Sequence, residues 1–253
     1  MKKPAIFLLL FLFVWGSFLN AEDQEVEAVI NDIQQKSESL VSYQADMEMV
    51  FLKTPKGIMK IEGYTKIVKP DKLVMVMGVK DNEETYQSMY SDGAVLWQYI
   101  AMFKMVSKIN IADLRKEFPN ADDLIKDQSN VKSAISEIKE GEVRYIGIET
   151  LDDEEVYVFE GEINSVVKDE LAMTSDVASV KIWVSTEDGL QRRTEYYSKD
   201  GESVAYRKMK EVKINVEIPD SEFQFQIPEG VAIMDVTPRA KEMLQQNMSV
   251  NEE

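Results

Sequence analysis

The chain has 253 residues, with 46 acidic and 29 basic side chains, a formal charge of −17, no cysteine and no histidine. That charge repels nucleic acid and anionic membrane faces, so neither is expected as a partner. Without thiol or imidazole there is no disulfide, no Ser-His-Asp or cysteine nucleophile and none of the usual zinc sites, and the chain is read as a non-enzyme.

Met1-Lys2-Lys3 is a short basic start, followed by an apolar run over 6–19. Leu19-Asn20-Ala21 offers a small residue for cleavage before Glu22. This is the layout of a secretory signal peptide, so residues 1–21 are expected to be a cleaved leader and 22–253 a single domain. Residues 22–42 follow a helical period, with Val26, Val29, Ile30, Ile33 and Leu40 on one stripe.

From Tyr43 the period changes to two. Tyr43, Ala45, Met47, Met49 and Phe51 alternate with Gln44, Asp46 and Glu48, which predicts a strand. Turns at 54–57, 69–72 and 81–84 separate further strands over 58–68, 73–79 and 85–90. Asp92-Gly93 turns the chain into "AVLWQYIAMFKMV", where apolar residues fall on both faces and something must cover each. Eight of the fourteen methionines lie between Met47 and Met105. Unbranched Met fills irregular space, so these residues pack a core as readily as they line a cavity.

Helices are predicted over 111–118, 121–139 and 238–248, and strands over 143–149, 155–162, 180–185, 190–198 and 204–218. The fold class is α+β, one large antiparallel sheet interrupted by helices. Glycines sit singly at turns, with no phosphate loop. Asp122-Asp123 and the acidic run 152–155 lack the spacing of a calcium loop. No metal and no cofactor is expected.

Three segments in order carry a family resemblance: "VSYQADMEMVF" at 41–51, "GYTKIVKPDKLVMVM" at 63–77 leading into "YSDGAVLWQY" at 90–99, and "FQFQIPEGVAIMDVT" at 223–237. Together they resemble the LolA-like periplasmic carriers of outer-membrane lipoproteins. The resemblance implies a curved antiparallel sheet forming an incomplete barrel, closed by α-helices that act as a lid over a hydrophobic cavity. It implies a monomer that binds acyl chains of lipoproteins, or lipids, in the periplasm. Cargo would come from an inner-membrane donor complex and go to an outer-membrane acceptor.

Carried over, the resemblance points Leu73, Met75 and Met77 at the cargo and turns Val74 and Val76 outward. Met47, Met49, Trp97 and Tyr99 join the candidate lipid-binding set. Lys69 stands where the family has an arginine that bonds to the lid, and an ammonium lacks the planar fork of a guanidinium. The chain is also longer than the usual carrier, around 120–141 and after 237. The alternative on the same fold is an RseB-type envelope-stress sensor or regulatory lipid-binding protein.

Overall fold

The structure, a computed structural model, describes residues 21–119, 121–122, 135–171 and 177–250. The expected leader lies outside these residues except for Ala21, and so does most of the helix expected over 121–139. Helix α1 (Ala21–Ser39) carries Lys36 in its last turn, where a cation complements the helix dipole. Its stripe is buried as the period requires, with Ile33 fully covered and Val29 and Ile30 packed beside it.

Twelve strands form one sheet among the described residues: β1 (Ser42–Thr54), β2 (Gly57–Val68), β3 (Lys72–Val79), β4 (Gln87–Asp92), β5 (Val95–Ile100), β6 (Met105–Asn110), β7 (Arg144–Leu151), β8 (Glu154–Glu162), β9 (Val177–Ser185), β10 (Gln191–Ser198), β11 (Ser203–Ile214) and β12 (Ala232–Asp235). Their order is β12-β6-β5-β4-β3-β2-β1-β11-β10-β9-β8-β7, and among the described residues the sheet is curved and unclosed, with β12 and β7 at its two ends. Short helices α2 (Ile111–Leu114) and α3 (Ser165–Glu170) follow β6 and β8, and α4 (Thr237–Val250) follows β12.

Two expectations about the last third of the chain are corrected. The strand expected over 204–218 ends at Ile214. Asn215 takes a left-handed turn at φ 53°, donates its N–H to the Ser42 carbonyl and accepts the Val41 N–H through Oδ1. Asn tolerates that conformation better than most residues, because its short polar side chain bonds locally. The closing strand of the resemblance shrinks to β12, which pairs with β6 in parallel rather than antiparallel. Pro219, Pro228 and Gly230 keep the intervening residues out of a ladder.

Those residues, 215–231, form a strap across one face of the sheet. Ile218 and Phe223 bury themselves against Val74, with Tyr64, Val68, Val76 and Tyr90 around them. Phe225 stacks on Trp97 at 5.8 Å between ring centroids and touches Tyr90 and Tyr99 at 5.3 and 6.4 Å. Lys72–Asp220 and Lys66–Glu222, each 2.6 Å, clip the strap at its edges. This strap face is one of the two apolar faces of the tryptophan strand. The other is the helix face, where α1 lies.

Candidate functional site

Directly paired residues in a sheet share a face, so the register reads out the helix face row by row. One row runs Met209, Met47, Gly63, Met77, Gln87 and Ile100 across β11, β1, β2, β3, β4 and β5. The adjacent row holds Ala45, Thr65, Met75, Met89 and Gln98. Met47, Met49, Met75, Met77 and Met89 are each only partly covered. Gly63 has no side chain between Met47 and Met77. A Cβ there would collide with the Val76 carbonyl oxygen, so β3 backbone fills that space in a strand approach that only glycine permits.

One end of this face is solid core. Leu73 is 2% exposed, enclosed with Leu40, Tyr43, Ile67, Leu96, Ile111 and Leu190. It therefore belongs to the packed floor under the end of α1 rather than to an open wall. Beyond it, Leu114, Phe118 and Ala121 pack against Ala240 and Leu244 of α4. Thr237 starts α4 by accepting the Asn110 N–H at 2.9 Å.

Lys69 donates from Nζ to the Ser37 carbonyl in the last turn of α1, and its burial lowers its pKa, partly opposed by the Glu38 charge. The helix is tied to the sheet again where Lys36 donates to the Thr186 carbonyl at 2.6 Å and Tyr157 donates to Asp32 at 2.8 Å.

Trp97 and Tyr99 are corrected out of the candidate set. They pair with Tyr90 and Ser88 in β4, on the opposite face from Met75 and Met89, and Phe225 of the strap covers them. A period of two says only that the two aromatics share a face. The strap that settles which one lies more than a hundred residues further along the chain.

Among the described residues a polar cluster centred on Arg207 and Glu137 lies on the helix face. Arg207 sits in β11 opposite Met49, between Ala205 and Met209 on the same side of the strand. Its Nη2 donates to Glu137 Oε1 at 2.6 Å and to Gln191 Oε1 at 3.1 Å. Tyr196 Oη donates to Glu137 Oε2 at 2.7 Å. The Glu137 side chain is 9% exposed and that of Arg207 32%. Glu137 is carried by a segment bonded to the end of β8. There Lys139 N–H donates to the Glu162 carbonyl, Asn164 N–H to the Glu137 carbonyl, and Ile138 bridges Ile163. Sequence reasoning missed this cluster, although a cation alternating in step with Ala205 and Met209 was a visible signal.

A cleft of about 540 Å³ opens beside α1, lined by Ile30, Ile135, Ile138, Val143 and Val166. A second, of about 520 Å³, is polar, lined by Asp152, Glu154, Arg192 and Lys208 among others. Its charges answer one another, Arg192 with Glu154 at 2.7 Å and Lys208 with Asp152 at 2.6 Å, so the apolar side is the better candidate for a ligand. Among the described residues no group of three or more carboxylates converges on a metal position.

No curated protein matches the chain. Of the solved structures, an uncharacterized conserved protein from Thermus thermophilus shares the fold at a TM-score of 0.51 and 8% identity, over 84% of this chain and 99% of that one. The Mycobacterium tuberculosis lipoprotein LppX aligns at 0.43 and 13% identity, over 78% and 98%. A structure of the Pseudomonas aeruginosa MucA/MucB complex aligns at 0.44 and 8%, over 80% of this chain and 61% of that one. The family described as "Predicted periplasmic protein (DUF2092)" matches residues 23–236. The chain belongs to the DUF2092 family, and its compartment is the periplasm.

Proposed function

We propose that the protein is a carrier that binds acyl chains of lipoproteins or lipids on the helix face of its sheet and moves them toward the outer membrane. The supporting observation is the pair of adjacent rows that places Met47, Met75, Met77, Met89 and Met209 on one side of the sheet, none of them fully buried. Methionine adapts to ligands of varied shape, and no rigid pocket is needed to hold an acyl chain. Each methylene leaving water contributes about 0.8 kcal/mol. A chain of about 14 methylenes would be held by roughly 11 kcal/mol if fully covered, so a partly open wall keeps release feasible.

In this reading α1 is the lid and the Lys69–Ser37 contact holds its last turn down. Donor and acceptor are membrane complexes that supply and remove the cargo. The role is binding rather than catalysis.

The test is displacement of a fluorescent fatty-acid probe, with circular dichroism as the fold control. Wild type is expected to bind saturably. Met75→Glu, which sets a carboxylate against acyl chain, should lose binding and keep the fold. A wild-type protein that takes up no probe, or a folded Met75→Glu that binds as before, would refute the proposal.

A further inference from the structure

The geometry points to an anionic amphiphile as the ligand class of this face, with Arg207 as the seat of its carboxylate or phosphate headgroup. This rests on the acyl-binding reading above and makes it more specific. Three observations carry it. The first is position. Arg207 stands at the margin of the methionine rows, opposite Met49 and next to Met209 on its own strand. From β11 to β3 is three strand steps, about 14 Å at the usual spacing. A chain lying along Met209, Met47, Gly63 and Met77 would bring its head to the guanidinium.

The second is chemistry. A guanidinium presents a planar fork of donors that matches carboxylate and phosphate oxygens. Arg207 already makes that interaction, with Glu137 Oε1 at 2.6 Å. Glu137 thus occupies the position an incoming headgroup oxygen would take. A third of the Arg207 side chain stays exposed while Glu137 is almost covered.

The third is energetic. A largely buried ion pair gives little net stability over an apolar pair of the same volume. Stability alone therefore does not explain an Arg–Glu pair beside Met49 and Met209. Recognition of charge does. A headgroup that displaces Glu137 also loosens the Arg207 tether of the 135–139 segment while the Tyr196 bond to Glu137 Oε2 remains. Binding would then couple to movement of that segment.

The experiment compares pyrene-labelled decanoic acid with pyrene-labelled decanol, at fixed ionic strength, on wild type, Arg207→Gln and Glu137→Gln. Wild type should prefer the acid by about tenfold or more, the size of one charge-assisted hydrogen bond. Arg207→Gln should abolish the preference by bringing acid affinity down to that for decanol, with circular dichroism showing that the variant is folded. Glu137→Gln should raise acid affinity several-fold, since the competitor for Arg207 is then neutral and Gln still accepts from Tyr196. Excess inorganic phosphate should displace neither probe. Equal affinity for both probes in wild type, or a preference that survives Arg207→Gln, would overturn the assignment and leave acyl binding intact. Displacement of the acid by inorganic phosphate would overturn it in favour of a free-anion site. Failure of both probes on wild type would instead refute the acyl-binding reading itself.

Discussion

On the strap face, Val74 and Phe223 are each 1% exposed and Ile218 8%. One residue further along the same strand, on the helix face, Met75 keeps part of its surface open, as does Met77. Both faces are apolar at this strand, yet residues 215–231 seal one, while the methionines of the other stay partly open beside α1. The strap brings aromatic rings and branched side chains that interlock with Tyr90 and Trp97 and are pinned by two ion pairs. The helix face has flexible methionine side chains around Gly63, with an ion pair at its margin. Among the described residues the two faces differ less at this strand in hydrophobicity than in how tightly their side chains are covered.

The sharpest way to break this contrast uses two adjacent residues. Val74→Asp places an unpaired carboxylate under the strap and is expected to cost on the order of 4 kcal/mol or more, enough to unfold many domains. Met75→Glu should stay folded with a loss under about 2 kcal/mol. Urea unfolding of both variants is the measurement, and equal destabilisation would mean that the helix face is as solid as the strap face. Phe223→Ala should cost about 3–5 kcal/mol through loss of packing and the cavity left behind. Acyl-probe affinity in the folded variant should not change, and a parallel loss of binding would show that the two faces are not independent.

A third test uses the charged part of the strap face. Burial pushes the Glu48 carboxyl up, but Lys210 and Lys60, at 2.8 and 2.6 Å, outweigh it and bring it down from 4.5 to about 2. A folded-state value below the unfolded one means that this contribution is complete above about pH 4.5 and is lost as the pH falls toward 2. Glu48→Gln should therefore destabilise by about 1–2 kcal/mol at pH 7 and by much less near pH 2.5. Urea midpoints at the two pH values check it, and a pH-independent difference would remove the ion pairs as its cause. The smallest effect is expected at Lys69→Leu, about 1 kcal/mol for one hydrogen bond in a part-buried site. Hydrogen exchange should quicken in the last turn of α1, and unchanged protection there would leave Lys69 without a hold on the helix.

Much of the fold was legible in residue order. The alternation in "YQADMEMVF" marks β1 and the apolar run "LVMVMGV" between turns marks β3, where Met75 and Met77 part from Val74 and Val76 because a strand turns successive side chains to opposite sides. The period of α1 and its burial at Ile33 follow from the same kind of local rule. The candidate site was legible only in part. Met47, Met49, Met75 and Met77 are on one face with α1, but Leu73 is enclosed core and Trp97 and Tyr99 are under the strap.

By itself, then, the sequence determined the type of α1 and of most described strands, most turn positions, which side chains share a side of each strand, and a chemistry without thiol or imidazole. Those properties depend on neighbours a few residues apart and on covalent geometry. Tertiary structure alone decided which side is covered and by what. Phe225 reaches Trp97 across 128 positions and Arg207 reaches Glu137 across 70. The pairing of β12 with β6 likewise depends on where a long excursion over the sheet returns. Contacts at such separations are set by how whole elements fill space against one another, and no local period encodes them.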